Sequence, residues 1–280
     1  MQSNNPVFAR AEGFNGRSVQ PYGSPSYPAG GQGYAGYGQV PPPPTTDPSD
    51  WQYPTGPAVQ ERMTIDSVVS RTAITLLVVV ASAAATWILL PPQYLTMAWM
   101  IGAFGGLGMS FAVSFMRKVN PALVIAYAAL EGLFLGAISE TFEGMFNGVV
   151  PGAVMGTTAA FVATLAAYKF FNIKVTDKFR KGVTIAMFGF FIVVMLDFVM
   201  SFFGAQIGFY GFGTLGLVMS FVGLGIGVLM LILDFDMVER GVAAGLPEQE
   251  SWRAAFGLTV TLIWIYINML RILAILQSDN

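Results

Sequence analysis

Beyond residue 71 the chain is a succession of long apolar runs broken by short polar ones. Seven apolar segments cover about 72–90, 94–116, 121–142, 149–171, 183–204, 212–234 and 254–276. Each is close to the ~20 residues that cross a hydrocarbon core of about 30 Å at about 1.5 Å per helical residue. Proline or glycine marks several boundaries, at Pro91, Pro92, Pro121, Pro151, Gly204 and Pro247. The pattern predicts an all-α, polytopic membrane domain over residues 58–280, with seven transmembrane helices. Thr64, followed by Asp66 and Ser67, reads as a helix start leading straight into the first span.

Residues 1–57 lack this pattern. They are rich in Gly, Pro, Tyr, Ser and Gln and include the run Pro41–Pro44. So little aliphatic surface cannot offset the entropy of ordering a chain, which predicts a disordered cytoplasmic tail. Its tyrosines or its proline run could take a partner, which the sequence does not identify. No charged-then-apolar opening of the signal-peptide kind is present.

Within the spans, small residues are arranged directionally. Gly216, Ser220, Gly223 and Gly227 follow a helical 4-3-4 spacing, and the same stripe continues through Met230 to Asp234. A row of small residues admits a second helix at close range, as packing in membranes requires. The stripe predicts that Asp234 faces inward, at the cytoplasmic foot of span six. Asp236 lies about 200° further round the helix and is expected to be solvated. Gly102, Gly106 and Ser110 form a second stripe, and Gly132 with Gly136 a third. Trp87, Trp99, Phe209, Tyr210 and Trp252 fall near span ends, where an aromatic belt is expected.

Charge then orients the spans. Arg62 and Arg71 precede the first, Arg117 and Lys118 follow the second, and Lys169, Lys174, Lys178, Arg180 and Lys181 surround the fourth connection. Arg240 and Arg253 flank the sixth. The connections after spans one, three and five carry no Lys or Arg. By the positive-inside rule the N-terminus is cytoplasmic and the C-terminus extracytoplasmic; the membrane expected is the plasma (cell inner) membrane.

Composition narrows the chemistry. The chain is 54% hydrophobic and 11% charged, against about 25% charged in soluble proteins. A net charge of −2 provides no basis for nucleic-acid binding. Without cysteine or histidine there is no disulfide, no thiol chemistry, no Ser-His nucleophile and no histidine pH switch. The fifteen methionines, lacking such partners, read as core filling and not as a metal track. No resident cofactor is expected, and any pH response must come from carboxylates.

Apart from Lys169 at the end of the fourth, the ionisable residues inside the apolar segments are Glu131, Glu140, Asp197, Asp234 and Arg271. Each costs about 2.5–3.5 kcal/mol at a helix centre on insertion scales, which makes them candidates for function. Counted from the cytoplasmic side, Glu131 lies about 15 Å and Asp197 about 21 Å in. Gly257, Thr261, Asn268 and Arg271 make one polar stripe on the last span, with Asn268 near the level of Asp197. Such a stripe suggests that the last helix is surrounded by the others. Arg271 and Glu140 are both expected near the outer face, where they could pair. The bland alternative is that these groups are hydrogen-bonded structural glue.

The segments MTIDSVVSRTAIT, AYAALEGLFLGAISE, LMLILDFDMVERG and AAFGLTVTLIWIYINMLRILAIL together resemble the transmembrane Bax inhibitor motif family. More narrowly they are similar to its bacterial branch with long Gly/Tyr/Pro tails, and the likeness covers about residues 62–276. The resemblance implies seven helices with the last one central, and a calcium leak gated by pH. It also implies that an aspartate ending span six, here Asp234, pairs with an aspartate on span seven to close the cytoplasmic side. Residues 254–276 contain no acid, and Thr261 and Asn268 are the nearest polar groups there. The candidate pH sensor or gate is therefore Asp234 with Thr261 and Asn268. Glu131, Asp197, Glu140, Asp236 and Arg271 remain as candidate ion-pathway residues.

Three functional classes follow. A passive cation pathway suits calcium, which prefers oxygen ligands, and the cation is then cargo. A non-conducting scaffold or stress regulator is compatible with the glycine packing. An intramembrane aspartyl protease could use Asp197 and Asp234, but their depths differ by about 20 Å and no GxGD motif precedes the second.

Overall fold

The computed structural model describes residues 61–204, 208–209 and 211–278. The tail over residues 1–57 and the belt position of Tyr210 lie outside the described residues. The seven long helices among them are α1 (Ile65–Leu89), α2 (Leu95–Phe115), α3 (Pro121–Met145), α4 (Val149–Phe170), α5 (Asp177–Ser201), α6 (Thr214–Ala243) and α7 (Glu250–Ser278). All seven are long and apolar enough to cross a membrane. The described residues contain no strand, only an isolated bridge between Arg62 and Pro247. The protein is an all-α, multi-pass membrane protein.

Local signals explain the helix starts. Thr64 Oγ1 accepts from the backbone N–H of Ser67, and Ser67 Oγ accepts from that of Thr64, a reciprocal cap for α1. Asn120 caps α3, with Pro121 at its first position, where no N–H is needed. Thr176 caps α5 by accepting from Phe179 N–H. The helices outrun the apolar segments at this end: α5 begins at Asp177 instead of 183, and α6 ends at Ala243 instead of 234. The apolar window measures contact with hydrocarbon, whereas backbone hydrogen bonding carries the helix on into the polar region.

The last helix is the core. Of its most apolar window 61% is buried, against 17–44% for the other six helices. It packs against α1, α3, α4 and α6, while α2 leans on α3 and α5 on α6. The small-residue stripes set these approaches. A Cβ at Gly132 would meet Val79 and Ser82 of α1 and one at Gly136 would meet Ala83 and Thr86, while one at Gly102 or Gly106 would meet Phe134 or Glu131 on α3. Gly223 and Gly227 lie against Asn268 and Trp264–Ile265 of α7, and Trp264 Nε1 donates to the Gly223 carbonyl at 2.8 Å. Gly216, at the far end of the same stripe, lies against Gly211 instead of α7. Ser110 satisfies its hydroxyl within α2, donating to the Leu107 carbonyl at 2.8 Å.

The end of the bundle at which α7 begins gathers the basic residues and is stitched together. Ser67 meets Ser251 at 2.6 Å and Thr75 meets Thr259 at 3.0 Å, joining α1 to α7. Arg71 pairs with Glu248 and lies over the Trp252 ring. Arg253 donates to the carbonyls of Met116 and Arg117, tying α7 to the α2–α3 connection. Every Lys and Arg of the described residues except Arg271 belongs to this end.

Candidate functional site

Two long helices place Asp234. It sits nine residues before the end of α6, about 14 Å along the helix, and Thr261 sits eleven residues into α7, about 16 Å along. Thr261 Oγ1 donates to Asp234 Oδ2 at 2.6 Å. Both are buried, Asp234 to 7% exposure and Thr261 to 5%. Gly257, one turn before Thr261, leaves room for the other oxygen: a Cβ there would lie 3.6 Å from Asp234 Oδ1. The carboxylate therefore lies across a Gly257–Thr261 step on the central helix. The helix itself runs on for two and a half further turns, through Asp236, Glu239 and Arg240, so Asp234 stands at the foot of the apolar stretch and not at the end of α6.

Asp236 corrects an expectation. Instead of being solvated it is buried to 7% exposure. Its carboxylate bridges Arg180 on α5, at 2.7 Å, and Arg240 one turn later on α6, at 3.0 Å. Arg240 donates onward to the Val175 carbonyl before α5. The extra turns at the start of α5 bring Arg180 within reach, and helical rotation alone could not foretell that.

Asn268 does not join the pair. It lies seven residues beyond Thr261, about 10 Å further along α7, donates to the Trp264 carbonyl and packs on Gly223. A shared stripe fixes direction around a helix but leaves depth different. Glu131 is ten residues into α3, about 15 Å, and so level with Asp234. It faces α2 instead, where a side chain at Gly106 would strike its Oε1.

Asp197 lies twenty residues into α5, about 30 Å from its start, the first six residues being the polar stretch before the apolar segment. It accepts from Gly208 N–H at 3.3 Å, in the connection to α6. Asp197 and Asp234 are thus at different levels and form no dyad. The expected pair of Glu140 with Arg271 is not among the ion pairs of the described residues. Arg271 Nη2 turns to the Phe209 carbonyl at 3.4 Å, because the α5–α6 connection crosses this end of α7. Glu140 keeps one buried carboxylate oxygen without a hydrogen bond.

Among the described residues no three acidic side chains converge on a point that could hold a metal ion. The residues that sequence reasoning missed are the cross-links of the basic end: Arg180, Arg253, Glu248 and the pair of Tyr168 with Glu239 at 2.7 Å. Their visible signal was charge beside a span, which reads first as orientation. Outside the membrane-spanning segments, Glu61 shares a hydrogen bond with Glu248 that raises the pKa of Glu61. The same bond, helped by Arg71, lowers that of Glu248.

Comparison with known proteins agrees with this architecture. A protein of Chlamydia muridarum (strain MoPn / Nigg), described as uncharacterized, is 28% identical over 110 residues. That match spans 38% of this chain and 46% of the relative. The family description "Bax inhibitor 1 like" matches residues 5–278, nearly the whole sequence. The chain belongs to the Bax inhibitor 1-like family of multi-pass membrane proteins.

Proposed function

We propose that the protein is a pH-sensitive cation leak, with calcium as the permeant ion and Asp234 as its titrating group. The observation that carries this reading is the buried Asp234–Thr261 hydrogen bond on the central helix, about 14–16 Å from the helix ends. A carboxylate buried against the central helix is expensive and is retained where it faces an interior or a pathway. Protonation removes a unit charge from the seam between α6 and α7, and with it an oxygen site for a hard cation. Oriented by the basic end, the chain has a cytoplasmic N-terminus and an extracytoplasmic C-terminus in the plasma membrane. Its partners are the bilayer and the permeant cation, with no nucleic acid.

A second reading, a non-conducting scaffold or stress regulator, is favoured by the cross-links at the basic end, where α1, α5 and three connections are tied down. Calcium uptake by liposomes holding purified protein separates the two. A leak admits calcium in a pH-dependent manner, and Asp234→Asn abolishes that dependence. Uptake indistinguishable from empty liposomes at every pH supports the scaffold.

A further inference from the structure

The central helix is sheathed along its length except at one point. Between residues 251 and 275 Val260 alone is exposed. It stands at the back of a cleft of about 250 Å³ lined by Phe111 of α2, Phe188 of α5, Gly227 and Met230 of α6, and Thr261 and Trp264 of α7. Helices α2 and α5 do not pack against each other, so the cleft opens sideways between them, while Phe190 of α5 closes its inner side by packing edge-on against Trp264 at 5.3 Å. Its lining is almost wholly apolar. Val260 to Trp264 lie about 15–21 Å along α7 from the basic end, at the depth of the hydrocarbon core. The outer walls, Phe111 and Phe188, are 54% and 58% exposed, as side chains facing lipid are.

We propose that this cleft is a binding site for one acyl chain of a bilayer phospholipid. Three features select that occupant. The opening faces hydrocarbon, at a depth that headgroups do not reach, and about 250 Å³ is too small for a second helix about 10 Å across. The walls offer dispersion contact, and Trp264 has its one donor already committed to Gly223. The floor is Thr261, whose hydroxyl is committed to Asp234. A seated chain covers the lipid-facing side of the Thr261–Asp234 pair and keeps water from reaching it sideways through the bilayer. Unlike the ion-leak reading, this site requires no conduction.

The test uses Trp264 as the reporter. In full-length protein with Trp51, Trp87, Trp99 and Trp252 replaced by Phe, reconstituted with phosphatidylcholine brominated on its acyl chains, Trp264 should lose most of its fluorescence. The loss should grow in proportion to the brominated fraction, as for a single exchanging chain, and Val260→Phe, which fills the cleft, should relieve it. Fluorescence untouched by brominated lipid but quenched by aqueous acrylamide would overturn the proposal, because the cleft is then hydrated. A quenching curve that needs several lipids, unaffected by Val260→Phe, would overturn it as well, leaving only annular contact. Should the quadruple variant not fold, Val260→Cys serves, since the chain has no other cysteine. A nitroxide at that site should be relaxed more by oxygen than by a water-soluble nickel chelate, and the reverse order contradicts a seated chain.

Discussion

Asp234 and Asp236 stand two residues apart on one helix and have opposite partners. Asp234 meets one uncharged hydroxyl, whereas Asp236 neutralises two guanidinium groups. The sequence marked Asp234 because a stripe of small residues ends on it. It gave no hint that Asp236 is buried, which depends on Arg180 arriving from another helix. Stability should therefore separate the two. Asp236→Asn leaves Arg180 and Arg240 without their counter-ion. Both arginines are about half exposed and their charges are screened, so the loss is about 1–2 kcal/mol. Asp234→Asn keeps an oxygen for Thr261 to donate to and should cost less, under about 1 kcal/mol. Thermal unfolding in detergent checks the order, and a larger loss for Asp234→Asn would mean that its charge is itself structural.

Among the elements, the glycine stripes were the most readable feature, because close helix approach in a membrane depends on local spacing. Gly132 faces the Val79 carbonyl and Ser82 of α1, whereas nothing lies within 4 Å of a Cβ at Gly225. Gly132→Ala should then lower stability by about 1–3 kcal/mol through overpacking. Gly225→Ala should be neutral or slightly stabilising. Equal effects of the two would remove the case for a tight α1–α3 seam.

The helix ends were less readable, since caps such as Thr176 and cross-links such as Arg253 to Met116 lie beyond the apolar windows. The clamp between the start of α1 and the α6–α7 connection was not visible at all. Glu248 N–H donates to the Glu61 carbonyl at 2.8 Å, and Met63 N–H donates to the Leu246 carbonyl at 2.7 Å. The raised Glu61 stabilises this clamp while protonated and loses that contribution as pH rises through its folded pKa. The lowered Glu248 contributes while ionised and loses that as pH falls through its own folded pKa. Hydrogen-exchange protection of the Met63 and Glu248 amides should thus peak between the two values, in mild acid, and weaken toward neutral pH. A flat profile contradicts the shared proton.

At the scale of the whole molecule, seven spans and a central last helix could be read from hydropathy and from the polar stripe on span seven. Depth could not be read so well. Asn268 and Thr261 share a direction but differ by about two turns, and α5 and α6 run past their apolar windows by six and nine residues. The charge alternation yields a direct prediction of orientation. Reporter fusions after residues 92, 147 and 208 should report the outside, and fusions after 118, 176 and 245 the inside. A cytoplasmic signal from all six would reject the assignment of the basic end.

The central claim is that one carboxylate, Asp234 beside Thr261, makes the leak sensitive to pH. The direct measurement is calcium flux into proteoliposomes against pH for the native chain and for Asp234→Asn, Thr261→Asp and Asn268→Asp. The native transition should be shallow, with the slope of a single proton, and should vanish in Asp234→Asn. Thr261→Asp places a second acid within hydrogen-bond range and should steepen the slope toward two protons. Asn268→Asp, about 10 Å further along the helix, should leave the slope unchanged. A steep two-proton transition in the native chain that persists in Asp234→Asn would contradict the account and place the titrating groups elsewhere.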